Sequence, residues 1–215
     1  AAGFGATQVV RLASNLILTR LLFPEAFGLM AMLQVVLFGL VMLTDVGIVQ
    51  AVIRSDRGNT PEFLDTAWSI QAGRGVLLWI AACIVAWPAA IAFREPMLSR
   101  LIPVGGAAVF LQALGSTSLF TLRRQLRPAP LIILEIGTQF ATAATMIAFA
   151  THGFGVWSLV FGNIVGATAH SVGSYALPGG THRPRLRINP EARYEIAQFG
   201  RWIFASSAVT FIGGR

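Results

Sequence analysis

Apolar residues fall along this chain in seven long runs, at roughly 1–22, 28–53, 67–93, 101–122, 130–151, 155–177 and 197–215. A helix needs about 20 mostly apolar residues to cross the hydrocarbon core of a bilayer. The pattern therefore predicts an all-α membrane protein, a polytopic helix bundle with short connections. Those connections leave no room for a soluble catalytic domain on either side of the membrane. Six runs make a lobe over 1–195, and 196–215 begins a truncated further helix.

Local grammar supports the boundaries. Thr60-Pro61-Glu62 reads as N-cap, first-position proline and first-turn acid, and Asn189-Pro190-Glu191 repeats it ahead of the seventh run. Pro24-Glu25 and Pro96 mark turns on the opposite face, and Pro128 and Pro130 start the fifth run. Segments 61–66 and 190–196 read as short interfacial helices leading into the bilayer.

Polar positions inside the runs carry the functional signal, because ionisable groups in hydrocarbon are costly and usually face a protein interior or a watery cavity. Arg11 and Asn15 interrupt the first run, Asp45 the second, Arg74 the third, Glu135 the fifth, His170 the sixth and Arg201 the seventh. At about 1.5 Å per helical residue, Asp45, Arg74, Glu135, His170 and Arg201 form a layer some 6–12 Å inside one face, whereas Arg11 and Asn15 lie near the midplane. Asp45 and Arg74 are ion-pair or coupling candidates at matching depth, and Glu135 has Arg124 and Arg201 as alternative partners. His170 is a coupling candidate or an interhelical hydrogen-bond donor. Asn15, Gln34, Gln139 and Asn163 have the chemistry of interhelical hydrogen-bonding groups. Arg11 has no acid at its own depth and is the residue expected to line a cavity. The glycine sets Gly73/Gly75, Gly105/Gly106 and Gly162/Gly166 predict close helix approach.

Composition agrees with the membrane reading: 55% of residues are hydrophobic, 12% are charged and the mean hydropathy is +0.68, against about 25% charged in soluble domains. The net charge of +7 is carried by arginine, since the chain contains no lysine. Nucleic acid is not the expected partner, because the arginines lie mainly between apolar runs. Connections 2–3, 4–5 and 6–7 hold nine of them (Arg54, Arg57, Arg123, Arg124, Arg127, Arg183, Arg185, Arg187 and Arg193), against three (Arg20, Arg94 and Arg100) on the other side. The positive-inside rule then places the start of the chain at the cytoplasmic face. Cys83 lies in an apolar run and reads as a small packing residue. No metal cluster, nucleophile triad or phosphate-cradling glycine loop is present in the sequence, so no cofactor is expected.

The chain starts without Met inside helix-like sequence and ends in another apolar run, which predicts a piece of a longer protein. Residues 4–20 and 199–215 align without gaps, matching Phe4/Phe199, Gly5/Gly200, Ala13/Ala208, Ile17/Ile212 and Arg20/Arg215. Six crossings return the chain to the starting side, so the seventh helix would repeat the first in parallel, as in several two-lobe transporters.

Several stretches resemble a known family: LTRLLFPEAFG at 18–28, TDVGI at 44–48, FGVWSLV at 154–160, RPRLRINPE at 183–191 and FG at 199–200. They are similar to the polysaccharide biosynthesis proteins, bacterial lipid-linked oligosaccharide flippases of the multidrug/oligosaccharidyl-lipid/polysaccharide exporter superfamily. The resemblance covers essentially the whole chain. It implies two six-helix lobes around a V-shaped cavity in the bacterial inner membrane. The implied partners are a polyprenyl-diphosphate-linked oligosaccharide, membrane lipids and other polysaccharide assembly proteins. Arginine gives planar bidentate contacts to phosphate, so Arg11, Asn15 and Arg74 are the substrate-binding candidates. The alternatives are a drug or cation exporter of the same superfamily, and a membrane enzyme of polysaccharide assembly. Such enzymes need a substantial outward loop, and every outward loop here is short.

Overall fold

The computed structural model describes residues 2–44, 47–55, 57–177, 184–196 and 198. All regular structure among them is helical: α1 (Ala2–Leu21), α2 (Pro24–Leu43), α3 (Ile48–Arg54), α4 (Pro61–Ala92), α5 (Leu98–Ala113), α6 (Ser118–Arg124), α7 (Pro128–Thr151) and α8 (Val156–Tyr175). A further helical segment covers 190–196. The seventh run, its alignment with the first, Asp45 and Arg201 lie outside the described residues.

Prolines set the starts of α2, α4 and α7, where the missing N–H is no loss. The Thr60 hydroxyl does not cap α4; it donates to Arg57 O at 2.8 Å and closes the preceding turn instead. Asn189 does act as a cap, its Oδ1 accepting from Glu191 N at 2.9 Å. Three departures from the hydropathy pattern follow from local chemistry. The run 28–53 is broken after Leu43, where Gly47 takes a left-handed φ of 61° that starts α3 in a new direction. The run 101–122 is broken at 114–117, and α5 and α6 meet at 59°. Segment 61–66 is no separate interfacial helix, because α4 is continuous over 32 residues, about 48 Å.

That length exceeds a hydrocarbon core of about 30 Å. The excess forms a second layer. Phe63, Leu64 and Ala67 of α4 pack there with Ile48, Ala51 and Val52 of α3, Phe120 of α6, and Ala192 and Ile196. The strand-like stretch 184–189 is fastened to α4 by its backbone: Arg185 N donates to Asp65 Oδ1 at 2.7 Å, Arg187 N to Ser69 Oγ at 3.1 Å and Asn189 N to Thr66 Oγ1 at 3.0 Å. An exposed Arg57–Glu191 ion pair at 2.8 Å borders this layer.

The larger core is at the other end, around the α1–α2, α4–α5 and α7–α8 turns. It includes Leu18, Leu22, Leu33, Ala86, Leu98, Leu101, Ile102, Leu159 and Val160. Small residues draw the helices together between the two ends. A methyl group on Gly75 would crowd Ala113, one on Gly106 would meet Ala82, and one on Gly162 or Gly166 would overlap Met146 or Thr142 of α7. Gly73 faces open space, and Cys83 is exposed on α4 rather than packed. Among the described helices, α2, α4 and α7 are each long and apolar enough to cross a membrane, and the bent α5–α6 pair makes a fourth candidate. The chain is a multi-pass, all-α membrane protein. The 20-residue α1 and α8 do not reach that apolarity because each carries a polar face.

Candidate functional site

Those polar faces point into the bundle. Although α1 and α2 are joined by a two-residue turn, α1 packs mainly on α7. A cavity of about 350 Å³ lies between α1 and α2 and is backed by α7 and α8. Beside it is a larger, open one, about 500 Å³, bounded by α2, α5, α7 and α8. Met30, Gln34, Gln139, Thr142 and Asn163 line both, so the two are neighbouring parts of one polar space.

Every wall helix contributes the same stripe. Arg11, Ser14, Asn15 and Leu18 of α1 stand at i, i+3, i+4 and i+7, which is one helix face. The spacing recurs in α2 (Met30, Leu33, Gln34, Leu37), α5 (Gly105, Ala108, Val109, Gln112), α7 (Glu135, Thr138, Gln139, Thr142) and α8 (Asn163, Gly166, Ala167, His170). Arg123, at the end of α6, completes the wall at the arginine-rich end. Toward the other end, Leu18, Leu33, Leu159 and Val160 join the apolar core.

The polar groups of this space are not spent on one another. Thr138 and Thr142 donate within α7, to Glu135 O at 2.9 Å and Thr138 O at 2.8 Å. By contrast, the side chains of Arg11, Asn15, Gln34, Glu135, Gln139, Asn163 and His170 have no hydrogen bond to another described residue. An amide or charge facing hydrocarbon without a partner costs several kcal/mol. The arrangement is therefore suited to a hydrated cavity or a polar ligand, and not to lipid.

Arg11 and Asn15 thus share the smaller cavity, while Glu135 and His170 share the larger one with Arg123. Arg74 lines neither. Its guanidinium donates to Val41 O at 2.9 Å and Thr44 Oγ1 at 3.2 Å, where α2 ends. Arg124 turns away from Glu135 and donates to Val52 O at 3.0 Å and to Ser55 O at the end of α3. Sequence reasoning assigned Arg123 only to topology, and Gln34, Gln139 and Asn163 only to interhelical bonding. The common i, i+3, i+4, i+7 stripe was the signal that could have joined them.

The family of polysaccharide biosynthesis proteins matches residues 17–215 of this chain. A curated relative, the succinoglycan biosynthesis transport protein ExoT of Rhizobium meliloti (strain 1021), is 23% identical over 196 residues. That alignment takes in 91% of this chain but 39% of the relative, so the chain spans about two fifths of that protein's length. No solved structure shows a significant match. With residues 17–215 matched and an all-α membrane bundle built around polar cavities, the chain belongs to the polysaccharide biosynthesis protein family.

Proposed function

We propose that this chain is part of a flippase that carries a polyprenyl-diphosphate-linked oligosaccharide across the bacterial inner membrane, from the cytoplasmic to the outer leaflet. The observation that supports it most is the pair of neighbouring cavities, one reaching Arg123 and the other Arg11, that share Gln34, Gln139 and Asn163 in their walls. A diphosphate bearing sugars cannot cross hydrocarbon cheaply, so a polar surface must replace its water. Arg11 supplies the permanent positive charge for the diphosphate. Asn15 and the amides of Gln34, Gln139 and Asn163 offer donors and acceptors to sugar hydroxyls. The separation of α1 from α2 leaves a lateral gap through which the lipid tail stays in the bilayer. The arginine-rich end of the bundle, with the start of α1, faces the cytoplasm. The relative's name as a transport protein agrees with this reading.

The test is the Arg11→Ala variant in the complete protein, assayed for polymer export and for flipping of the lipid-linked sugar in proteoliposomes. Loss of a charge-assisted phosphate contact, about 1.5–3 kcal/mol, weakens head-group binding some ten- to hundredfold and abolishes export while folding is kept. Normal export by this variant removes Arg11 from the site. Glu135 in the larger cavity favours a cation exporter as the second reading. In that case Glu135→Gln would stop efflux of a lipophilic cation and Arg11→Ala would not.

A further inference from the structure

The arginine-rich end of the bundle carries an exposed surface that neither cavity uses. Residues 184–196 cross α4 there. A tight turn, closed by Arg187 N donating to Arg185 O at 2.8 Å, leaves Leu186 at its tip. Leu186 is 78% exposed, Ile188 59% and Tyr194 72%. Ala192 and Ile196 pack into the second layer, so the helical segment 190–196 has one packed side and one bare side. Arg185, Arg187 and Arg193 are exposed among these apolar side chains, and their guanidiniums have no ion pair or hydrogen bond among the described residues. The acids nearby are engaged elsewhere: Glu191 pairs with Arg57, and Glu195 and Glu62 act electrostatically on that same guanidinium.

Depth decides what this surface meets. Trp68 and Trp87 lie 19 residues apart on α4, about 28 Å. That spacing matches a hydrocarbon core of about 30 Å with an aromatic ring at each boundary. Asp65, Thr66 and Ser69, which bond to the backbone of 184–189, flank Trp68. The segment is therefore held at the level of lipid head groups, where aliphatic tips reach acyl chains and guanidiniums meet phosphate.

We infer that residues 184–196 form a docking site for anionic phospholipid. Arg185, Arg187 and Arg193 bind head-group phosphates, while Leu186, Ile188 and Tyr194 insert at the acyl boundary. Arginine suits the task because its planar fork takes two phosphate oxygens and stays charged. Tyrosine suits it because an apolar ring carries a polar tip. An acidic protein segment would also satisfy the arginines, but it would leave three bare apolar side chains at this depth without a role. Each arginine near an anionic leaflet adds about fivefold to the affinity for it. The site needs only the membrane fold and is independent of the transport reading.

The test uses the complete protein in nanodiscs that mix phosphatidylcholine with phosphatidylglycerol. The probes are trace phosphatidylglycerol and trace phosphatidylcholine, each carrying the same photoactivatable diazirine near the head group. Cross-linked peptides are identified by mass spectrometry. In wild type, peptides covering 184–196 should be labelled at least about fivefold more by the anionic probe. Raising the salt from about 0.05 to 0.5 M should bring that ratio close to one, because exposed charges are then screened. Replacing the arginines together (Arg185→Gln, Arg187→Gln and Arg193→Gln) should lower the ratio to within about twofold. Leu186→Ser combined with Ile188→Ser should instead reduce labelling by both probes alike. The salt series on wild type carries the test if a variant fails to fold. Equal labelling of wild type by the two probes, or an undiminished ratio in the folded arginine variant or at high salt, overturns the inference. So does an unlabelled 184–196 beside a labelled α7, the outcome expected if a soluble acidic partner owns this surface.

Discussion

Residues 184–189 are held to α4 by three of its side chains. Asp65 is 5% exposed and accepts the Arg185 N–H at 2.7 Å. Next to it, Ser69 and Thr66 take the N–H groups of Arg187 and Asn189. Alternate amides of this stretch are thus satisfied by three side chains of one helix. Replacing Asp65 with Ala removes a hydrogen bond to a charged acceptor, worth about 1.5–3 kcal/mol. Local opening of 184–189 should then become about 10- to 100-fold more frequent, at 1.4 kcal/mol per tenfold. Phe63, Leu64 and Ala67 are untouched, so the layer beneath holds. Hydrogen exchange read by mass spectrometry on the detergent-solubilised protein measures this: peptides covering 184–189 should exchange faster by that factor, and peptides of α7 and α8 should not. If Asp65→Ala folds and 184–189 exchanges within twofold of wild type, the clamp is not what holds the segment.

Three further outcomes follow from close contacts. Gly166→Leu should separate α7 from α8 at Thr142 and lower stability by about 1–3 kcal/mol, the usual cost of overpacking, seen as a reduced midpoint in thermal unfolding. Arg124→Met leaves Val52 O and Ser55 O at the end of α3 without their charged donor, at a cost of about 1.5–3 kcal/mol; faster proteolysis between α3 and α4 would report it. Leu126 has φ 54° and is 87% exposed, so it carries left-handed strain with little packing in return. Leu126→Gly should raise the unfolding midpoint, by roughly 2–4 °C for each kcal/mol relieved.

Hydropathy located the long apolar helices α2, α4 and α7 and was a poor guide to where the other runs bend. Between Thr44 and Gly47, and between Gly115 and Ser118, the breaks are too short to stand out in a window of twenty. Each stretch nevertheless carries a readable chemical sign: a glycine at the left-handed position in one, and a cluster of small hydroxyls in the other. Ser118 N and Oγ both reach Ser116 Oγ, at 3.2 and 2.7 Å, and Ser174 Oγ takes Ser116 N at 2.7 Å. Counting residues along a helix did not tell which neighbour each polar side chain meets. Arg74, Glu135 and His170 stand at similar computed depth, yet Arg74 serves the end of α2 and the other two face the larger cavity. Azimuth depends on which neighbour a helix chooses. That α1 would pack on α7 and diverge from α2, its partner across a two-residue turn, has no local signal.

The bend between α5 and α6 also bears on how such a protein could move. A helix end in a membrane leaves carbonyls that must find donors. Here they are met from outside the helix: Gln71 Nε2 donates to Ala113 O at 2.7 Å, and Tyr175 Oη and Trp68 Nε1 donate to Leu114 O at 2.6 and 3.4 Å. The donors come from α4 and α8, so flexing this joint would break several hydrogen bonds at once. A break in a membrane span is often read as a hinge, but this one is a bracket that ties three spans into a single body. Large motions of this bundle should therefore carry α4, α5, α6 and α8 together, leaving the α1–α2 gap as its compliant side.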